Sequence, residues 1–199
     1  MTKFTDPTKV ITGPETRWSY LNAWEPKAIE GGTPKYSVSL IISKDDRKTV
    51  EKIMAAIKAA YAEGMAKLKG NGKSVPPLEA IKTPLRDGDK ERPDDPAYAN
   101  AWFINANSAT APGVVDASCQ RIIDRSELYS GVYGRVCVNF FPYSFSGKKG
   151  IGCGLGPVQK LRDGEPLSGG TTAAQAFGAP RPSNPAPTGG INPITGQPM

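Results

Sequence analysis

Between Ser130 and Leu155 the chain reads SGVYGRVCVNFFPYSFSGKKGIGCGL, and apolar and polar positions alternate along its first half. Val132, Gly134, Val136, Val138 and Phe140 fall on one side of an extended chain, and Tyr133, Arg135, Cys137, Asn139, Phe141 and Tyr143 on the other. SGKK then supplies a turn of small and basic residues, and the return segment sets Ile151, Cys153 and Leu155 against Gly150, Gly152, Gly154 and Gly156. This pattern predicts a β-hairpin. Even-numbered Val138 and Phe140 share a face with odd-numbered Ile151 and Leu155 only if the loop holds an even number of residues, as SGKK does. The glycines are therefore expected beside Phe141 and Tyr143 on the other face. Pro142 argues against that register, since a proline within a strand marks an edge or a bulge that would reset the parity.

The same pattern runs through other segments. In RWSYLNAWEPK, Trp18 and Tyr20 alternate with Arg17, Ser19 and Leu21, so a strand is predicted with either face inward: a core pair on one reading, a stacking pair on the other. Tyr36, Val38, Leu40 and Ile42 oppose Lys35, Ser37, Ser39 and Ile41 in a half-buried strand. From Asp45-Asp46 to about Leu68, the spacing of Val50, Ile53, Met54, Ile57, Tyr61 and Leu68 predicts an amphipathic helix. Residues 70–96 read as a long irregular connection. WFINANS is a strand with Trp102 and Ile104 on one face and Phe103 and Asn105 on the other; PGVVDAS is a shorter one, and a final strand is expected over PVQKLRDGEPL. Short strands with one helix between them predict a mainly β small barrel or sandwich over residues 10–168. Residues 1–9 are expected to be flexible. From residue 169 the chain is rich in Gly, Pro, Ala and Thr, with too little apolar surface to offset ordering entropy, so a disordered tail is expected.

Composition narrows the chemistry. The 199 residues carry a formal charge of +6, which favours an anionic partner. The chain has no histidine, which removes His-dependent triads and HExxH zinc sites together. Cys119, Cys137 and Cys153 are odd in number and lie far apart, so neither a disulfide framework nor a metal site is expected, and a reducing, intracellular setting is the natural reading. No apolar run approaches 18 residues and no signal segment is apparent, so no membrane association is expected. No cofactor is expected either, because no helix follows the glycine-alternating run as a dinucleotide loop would require.

Rings beside bare glycine backbone, with cations nearby, make a shelf suited to flat, anionic ligands, and single-stranded nucleic acid is such a ligand. Lys35, Arg135, Lys148 and Lys149 are the candidate phosphate contacts; Tyr20, Trp102 or Phe103, Phe141 and Tyr143 are the candidate stacking residues. Lys82, Arg86, Lys90 and Arg92 could also guide phosphates, but Asp87, Asp89, Glu91, Asp94 and Asp95 offset them. Two other classes compete. Asp87, Asp89, Asp94 and Asp95 could hold magnesium in a nuclease, though catalytic carboxylates need rigid support. The Gly150 to Gly156 stripe could let another backbone approach, as in a structural or assembly protein whose flat β surface pairs with other subunits.

Taken together, RWSYLNAWEPK, GGTPKYSVSLIISKDDRKTVEKIMAAIKAA, INANS with PGVVD, and ELYSGVYGRVCVNFFPYSFSGKKGIGCGLGPVQKLRDGEPLSGG resemble the single-stranded DNA-binding proteins of tailed bacteriophages, over about Val10 to Gly170. The resemblance implies an OB-fold-like five-stranded barrel with one helix. It also implies non-catalytic, largely sequence-independent binding of single-stranded DNA during phage replication or recombination in the cytoplasm of the bacterial host. Cellular proteins of like function recruit replication enzymes through an acidic tip. This chain ends in Gly196-Gln197-Pro198-Met199, so any contact of its tail with replication or recombination proteins would need another chemistry.

Overall fold

The computed structural model describes residues 6–28, 31–70 and 72–167; the expected disordered tail, and residues 1–5 of the expected flexible N-terminus, lie outside the described residues. In chain order the elements are β1 (Lys9–Ile11), β2 (Arg17–Lys27), β3 (Lys35–Ser43), α1 (Arg47–Glu63), α2 (Met65–Lys69), β4 (Arg86–Asp87), α3 (Gly88–Glu91), β5 (Ala101–Ser108), β6 (Val114–Val115), β7 (Tyr133–Phe145) and β8 (Lys148–Arg162). β2, β3 and β5 form an antiparallel meander; β5 then pairs in parallel with β8, β8 antiparallel with β7, and β7 returns to β2 and β1. The ring closes with five principal strands in the order of an OB barrel, leaving β1, β4 and β6 as short additions.

The barrel is filled from the faces that alternation predicted. Val38, Leu40 and Ile42 from β3, Ile104 from β5, Val136, Val138 and Phe140 from β7, and Ile151 and Leu155 from β8 are buried in one cluster. Each such side chain stabilises the fold by roughly 1.5–3 kcal/mol relative to exposure. The Asp46 side chain caps α1 by accepting from the Thr49 N–H at 3.2 Å. The helix buries Thr49, Ile53, Ala56, Ile57 and Ala60 and packs against β7 and β1. Met54, expected on the apolar stripe, is instead exposed. The single helix expected to reach Leu68 breaks at Gly64, where any Cβ would lie 2.3 Å from the Pro142 Cγ.

The β7–β8 faces are the ones predicted, with the glycines beside Phe141 and Tyr143, while the pairs themselves (Val138 opposite Leu155, Phe141 opposite Gly152, Tyr143 opposite Gly150) sit two residues from where a four-residue SGKK loop would put them. The turn is shorter than SGKK. Phe145 already pairs with Lys148, leaving Ser146 and Gly147 as the loop. Both have positive φ, 49° and 77°, the sign pattern of the type I′ turns that match strand twist. Pro142 does not reset the parity. Phe140 donates its N–H to the Thr8 carbonyl at 2.9 Å, so the N–H that Pro142 lacks would face the same edge, beyond the reach of β1. The expected final strand is the second half of β8, which runs unbroken for 15 residues.

Candidate nucleic-acid interface

β2 does not keep strict alternation. Trp18 is fully buried, its Nε1 donating to the Gly134 carbonyl at 3.3 Å, whereas Tyr20 is 59% exposed. Tyr20 has φ 48°, and the pairing with β3 slips between Ser19 and Asn22. A left-handed residue inside a strand turns the following side chains to the other face, at a conformational cost in a non-glycine residue. The two rings therefore part: Trp18 is core, and Tyr20 stands at the rim of a groove across β2, β3 and β5.

That groove has a volume near 820 Å³ and is lined by Tyr20, Asn22, Lys35, Ser37, Asn105 and Asn107, with Arg92 at its side. Its floor is small and polar. Asn22 donates from Nδ2 to the Ser37 Oγ and to the Tyr20 carbonyl, both at 3.1 Å. Cross-strand partners extend the floor around the barrel in one row: Asn22 beside Ser37, Ser37 beside Asn107, Asn107 beside Gly154, and Gly154 beside Asn139. No member of that row is buried.

Arg92 is presented by a segment that the sequence shows only as mixed charge. Lys44 reaches back to Asp87 at 2.8 Å and Asp89 at 2.7 Å, Arg86 pairs with Glu91, and Asp89 also accepts the Asn100 N–H at 2.9 Å. The hydrogen bonds from Lys44 are the main cause that lowers the pKa of both aspartates below the ordinary aspartate value and raises that of Lys44. With these acids engaged, Arg92 is left without a carboxylate partner among the described residues. Its guanidinium lies 4.7 Å from the Tyr98 ring centroid and 5.2 Å from that of Tyr20, and it donates to the Tyr20 Oη at 3.2 Å. This anchoring also bears on the nuclease reading: Asp87 and Asp89 are bound by an ammonium, and Asp95 accepts the Ala97 N–H in a turn at 3.1 Å.

The β7–β8 hairpin forms a second surface. Phe141 is 42% exposed, and its ring lies over Gly152, where a Cβ would stand 2.7 Å from the Phe141 Cζ. Tyr143 lies likewise over Gly150, and Asn139 over Gly154. The glycine stripe is thus covered by its own cross-strand neighbours rather than bare, and at Gly150 the Lys82 carbonyl also approaches, 2.5 Å from where a Cβ would stand. Lys148 is exposed beside the turn, and Lys82 is exposed where its backbone bridges to Gly150. Lys149 is half-buried and donates from Nζ to the Lys69 carbonyl at 3.0 Å.

The predicted residues thus divide. Tyr20 and Lys35 share the groove, while Phe141, Tyr143, Lys148 and Lys149 share the hairpin. Arg135 is exposed on β7 opposite Gln159 and joins neither group. Phe103 is corrected outright: it is fully buried and packs edge-on to Tyr98, with centroids 5.1 Å apart at 83°. Strand β5 is covered on this face too, by a second cluster of Ile41, Tyr98, Ala101 and Phe103. Trp102 is half-buried on the opposite face from Asn105, with the Lys44 Nζ 5.2 Å from its ring centroid, and so lies outside the groove. Sequence reasoning passed over Asn105 and Asn107, both exposed at alternate positions of β5, and set Arg92 aside as offset by its acidic neighbours.

Comparison with known proteins places this geometry. The family model described as the single-stranded-DNA-binding protein of Enterobacter phage Enc34 matches residues 8–186. A protein of Acyrthosiphon pisum secondary endosymbiont phage 1 is 30% identical over 166 residues, covering 79% of this chain and 86% of that protein. Among solved structures, the single-stranded DNA-binding protein of bacteriophage Enc34 in complex with single-stranded DNA aligns with a TM-score of 0.66 at 23% identity, covering 84% of this chain and 96% of that one. The single-stranded DNA-binding protein of bacteriophage T7 aligns with a TM-score of 0.52 at 18% identity, covering 81% and 90%. The fold is that of the phage OB-fold proteins, and the chain belongs to the Enc34 phage single-stranded-DNA-binding protein family.

Proposed function

We propose that this chain is a non-catalytic, largely sequence-independent binder of single-stranded DNA, acting in phage DNA replication or recombination inside the bacterial host. Family membership supports the ligand. The observation that carries the binding mode is the outward row of small polar residues and glycine, from Asn22 through Ser37 and Asn107 to Gly154, flanked by exposed Tyr20 with Arg92 at one side and by Phe141 at the other. Bases stack on rings without being identified, while Lys35, Arg92, Lys82 and Lys148, helped by Lys149, neutralise phosphates. Arg135 extends the positive surface along β7, and the tail offers a separate contact for replication or recombination proteins.

Titrating the full-length protein into fluorescein-labelled oligo-dT and reading anisotropy tests this. Four or five phosphate contacts predict a log–log salt slope of about −3, so affinity drops roughly 60-fold for a fourfold rise in salt. Duplex of the same length should bind more weakly, and the oligonucleotide should remain intact with magnesium present. Affinity that is flat in salt, or equal for duplex, overturns the mode; steady cleavage overturns its non-catalytic character.

A further inference from the structure

Met54, Lys58, Met65 and Lys69 recur at intervals of four, seven and four, which keeps them on one side of a helix. The pattern passes through the break at Gly64, whose N–H donates to the Ala60 carbonyl at 3.0 Å and whose carbonyl accepts the Leu68 N–H at 2.9 Å. Met54 is 46% exposed and Met65 44%, and they lie about 16 Å apart at 1.5 Å per residue. Ala55, Ala62 and Ala66 are exposed beside them. The face that α1 turns to the barrel, with Ile53, Ala56, Ile57 and Ala60, is a different one. A single exposed methionine needs no explanation. Two in register with lysines, on helices whose buried face is already occupied, make a surface.

Charge on this surface is one-sided. From Arg47 to Lys69 six cations stand against Glu51 and Glu63, and none of the six forms an ion pair among the described residues. Lys67 and Lys69 suit the last turn of α2, where the helix dipole favours cations. Arg47 and Lys48 do not: they occupy the first turn of α1, which holds no acid and where the dipole disfavours them. Folding therefore leaves this charge unmatched. We propose that the α1–α2 face docks an acidic amphipathic helix of a partner protein, its apolar residues on Met54 and Met65 and its carboxylates toward the flanking lysines. Unbranched thioethers adapt to the apolar shape that arrives, alanines let a partner backbone come close, and lysines on flexible stems follow carboxylates without a fixed geometry. Nucleic acid fits less well because no ring is offered to a base: Tyr61, the one aromatic of the two helices, is half-buried and donates its hydroxyl to the Pro76 carbonyl at 2.8 Å. A membrane surface fits less well too, since the exposed stripe has no Trp, Phe or Leu to enter it. The face lies on α1 and α2 rather than on β2, β3 and β5, so the partner is held with or without DNA.

The probe is a fluorescein-labelled helical peptide of about 20 residues, with leucines along one stripe and glutamates on both sides of it. Full-length protein is titrated into it, with and without saturating oligo-dT, and anisotropy is read. Binding at about 10–100 μM is expected, equal within about threefold in the two states. A peptide with glutamine for glutamate should bind at least about tenfold more weakly. Lys58→Gln with Lys69→Gln should weaken binding of the glutamate peptide about fivefold. Met54→Gln with Met65→Gln, which keeps side-chain length and helix propensity, should do the same. Both pairs should hold oligo-dT affinity within about threefold of the wild type, which also shows that they fold. Arg121, exposed in the loop after β6, is the control, and Arg121→Gln should match the wild type with the peptide. No binding of the glutamate peptide below about 1 mM, equal binding of its glutamine counterpart, or displacement of the peptide by oligo-dT would each overturn the partner surface. So would a loss in Arg121→Gln as large as in the lysine pair. Binding of duplex DNA or of phosphatidylglycerol vesicles that is lost in both pairs, with the peptide unmoved, would assign the face to that ligand and overturn it as well.

Discussion

Arg92 is the residue on which the groove account can be pressed hardest. Replacing it with alanine removes a guanidinium that lies over Tyr20 and Tyr98 and hydrogen-bonds to the Tyr20 hydroxyl. If that guanidinium meets a phosphate, its loss costs a charge-assisted hydrogen bond of about 1.5–3 kcal/mol, or a ten- to hundredfold drop in affinity at low salt. It also removes one released counterion, so the salt slope should flatten by about 0.7 and the gap from the wild type should narrow by about 2.5-fold between 50 and 200 mM salt. Arg92→Lys keeps the charge but not the planar stack, so it should retain the slope while recovering only part of the affinity. Anisotropy titration of labelled oligo-dT across a salt series reads both quantities, and a thermal melt checks folding. An Arg92→Ala variant that melts as the wild type does and keeps both affinity and slope would refute the reasoning.

Three further outcomes follow from the packing. Phe103→Ala should destabilise the fold by about 3–5 kcal/mol in urea unfolding, as expected of a buried ring; loss of binding at unchanged stability would restore Phe103 to the surface. Gly152→Ala places a Cβ 2.7 Å from the Phe141 Cζ and should lift that ring, lowering affinity for twelve-nucleotide strands with less than about 1 kcal/mol change in stability because the ring can swing outward; an unaltered affinity would show that the ring's seat does not matter. Asp87 and Asp89 have folded pKa values below their ordinary values, chiefly through Lys44, so their stabilisation is present above the ordinary aspartate range and is lost as pH falls through the lowered folded values. Lys44→Ala should move the titration of both aspartates upward in carbon-detected NMR, with the Asn100 N–H still acting on Asp89, and unchanged titration would exclude Lys44 as the main cause.

Which faces of β7 and β8 meet was legible because two alternating patterns joined by any even-numbered turn put the same residues inward, whereas the exact pairing depended on the turn being SG rather than SGKK. Other features depend on contacts that no local pattern carries. Tyr20 parts from Trp18 because its own φ is left-handed, which the residue type does not announce. Phe103 and Trp102 could not be ranked from β5 alone, since the ring that covers Phe103 belongs to Tyr98, in a stretch with no periodicity. Arg92 was hidden in a run of alternating charge, and it stands free because Lys44, more than 40 residues upstream, takes up Asp87 and Asp89. Phe145, by contrast, was available to the same two-residue count that singled out Phe141 and Tyr143, since it precedes the loop whether that loop is SGKK or SG; the longer reading hid instead that Lys148 and Lys149 belong to β8.

Mapping backbone amides by NMR as unlabelled oligo-dT of about twelve nucleotides is added tests the binding face directly. The account predicts the largest shifts at Tyr20, Asn22, Ser37, Asn107, Gly152 and Gly154, continuing to Phe145, with α1 little changed. Shifts concentrated on α1, or around Tyr133 and Arg162, with the Asn107–Gly154 row unmoved, would contradict it.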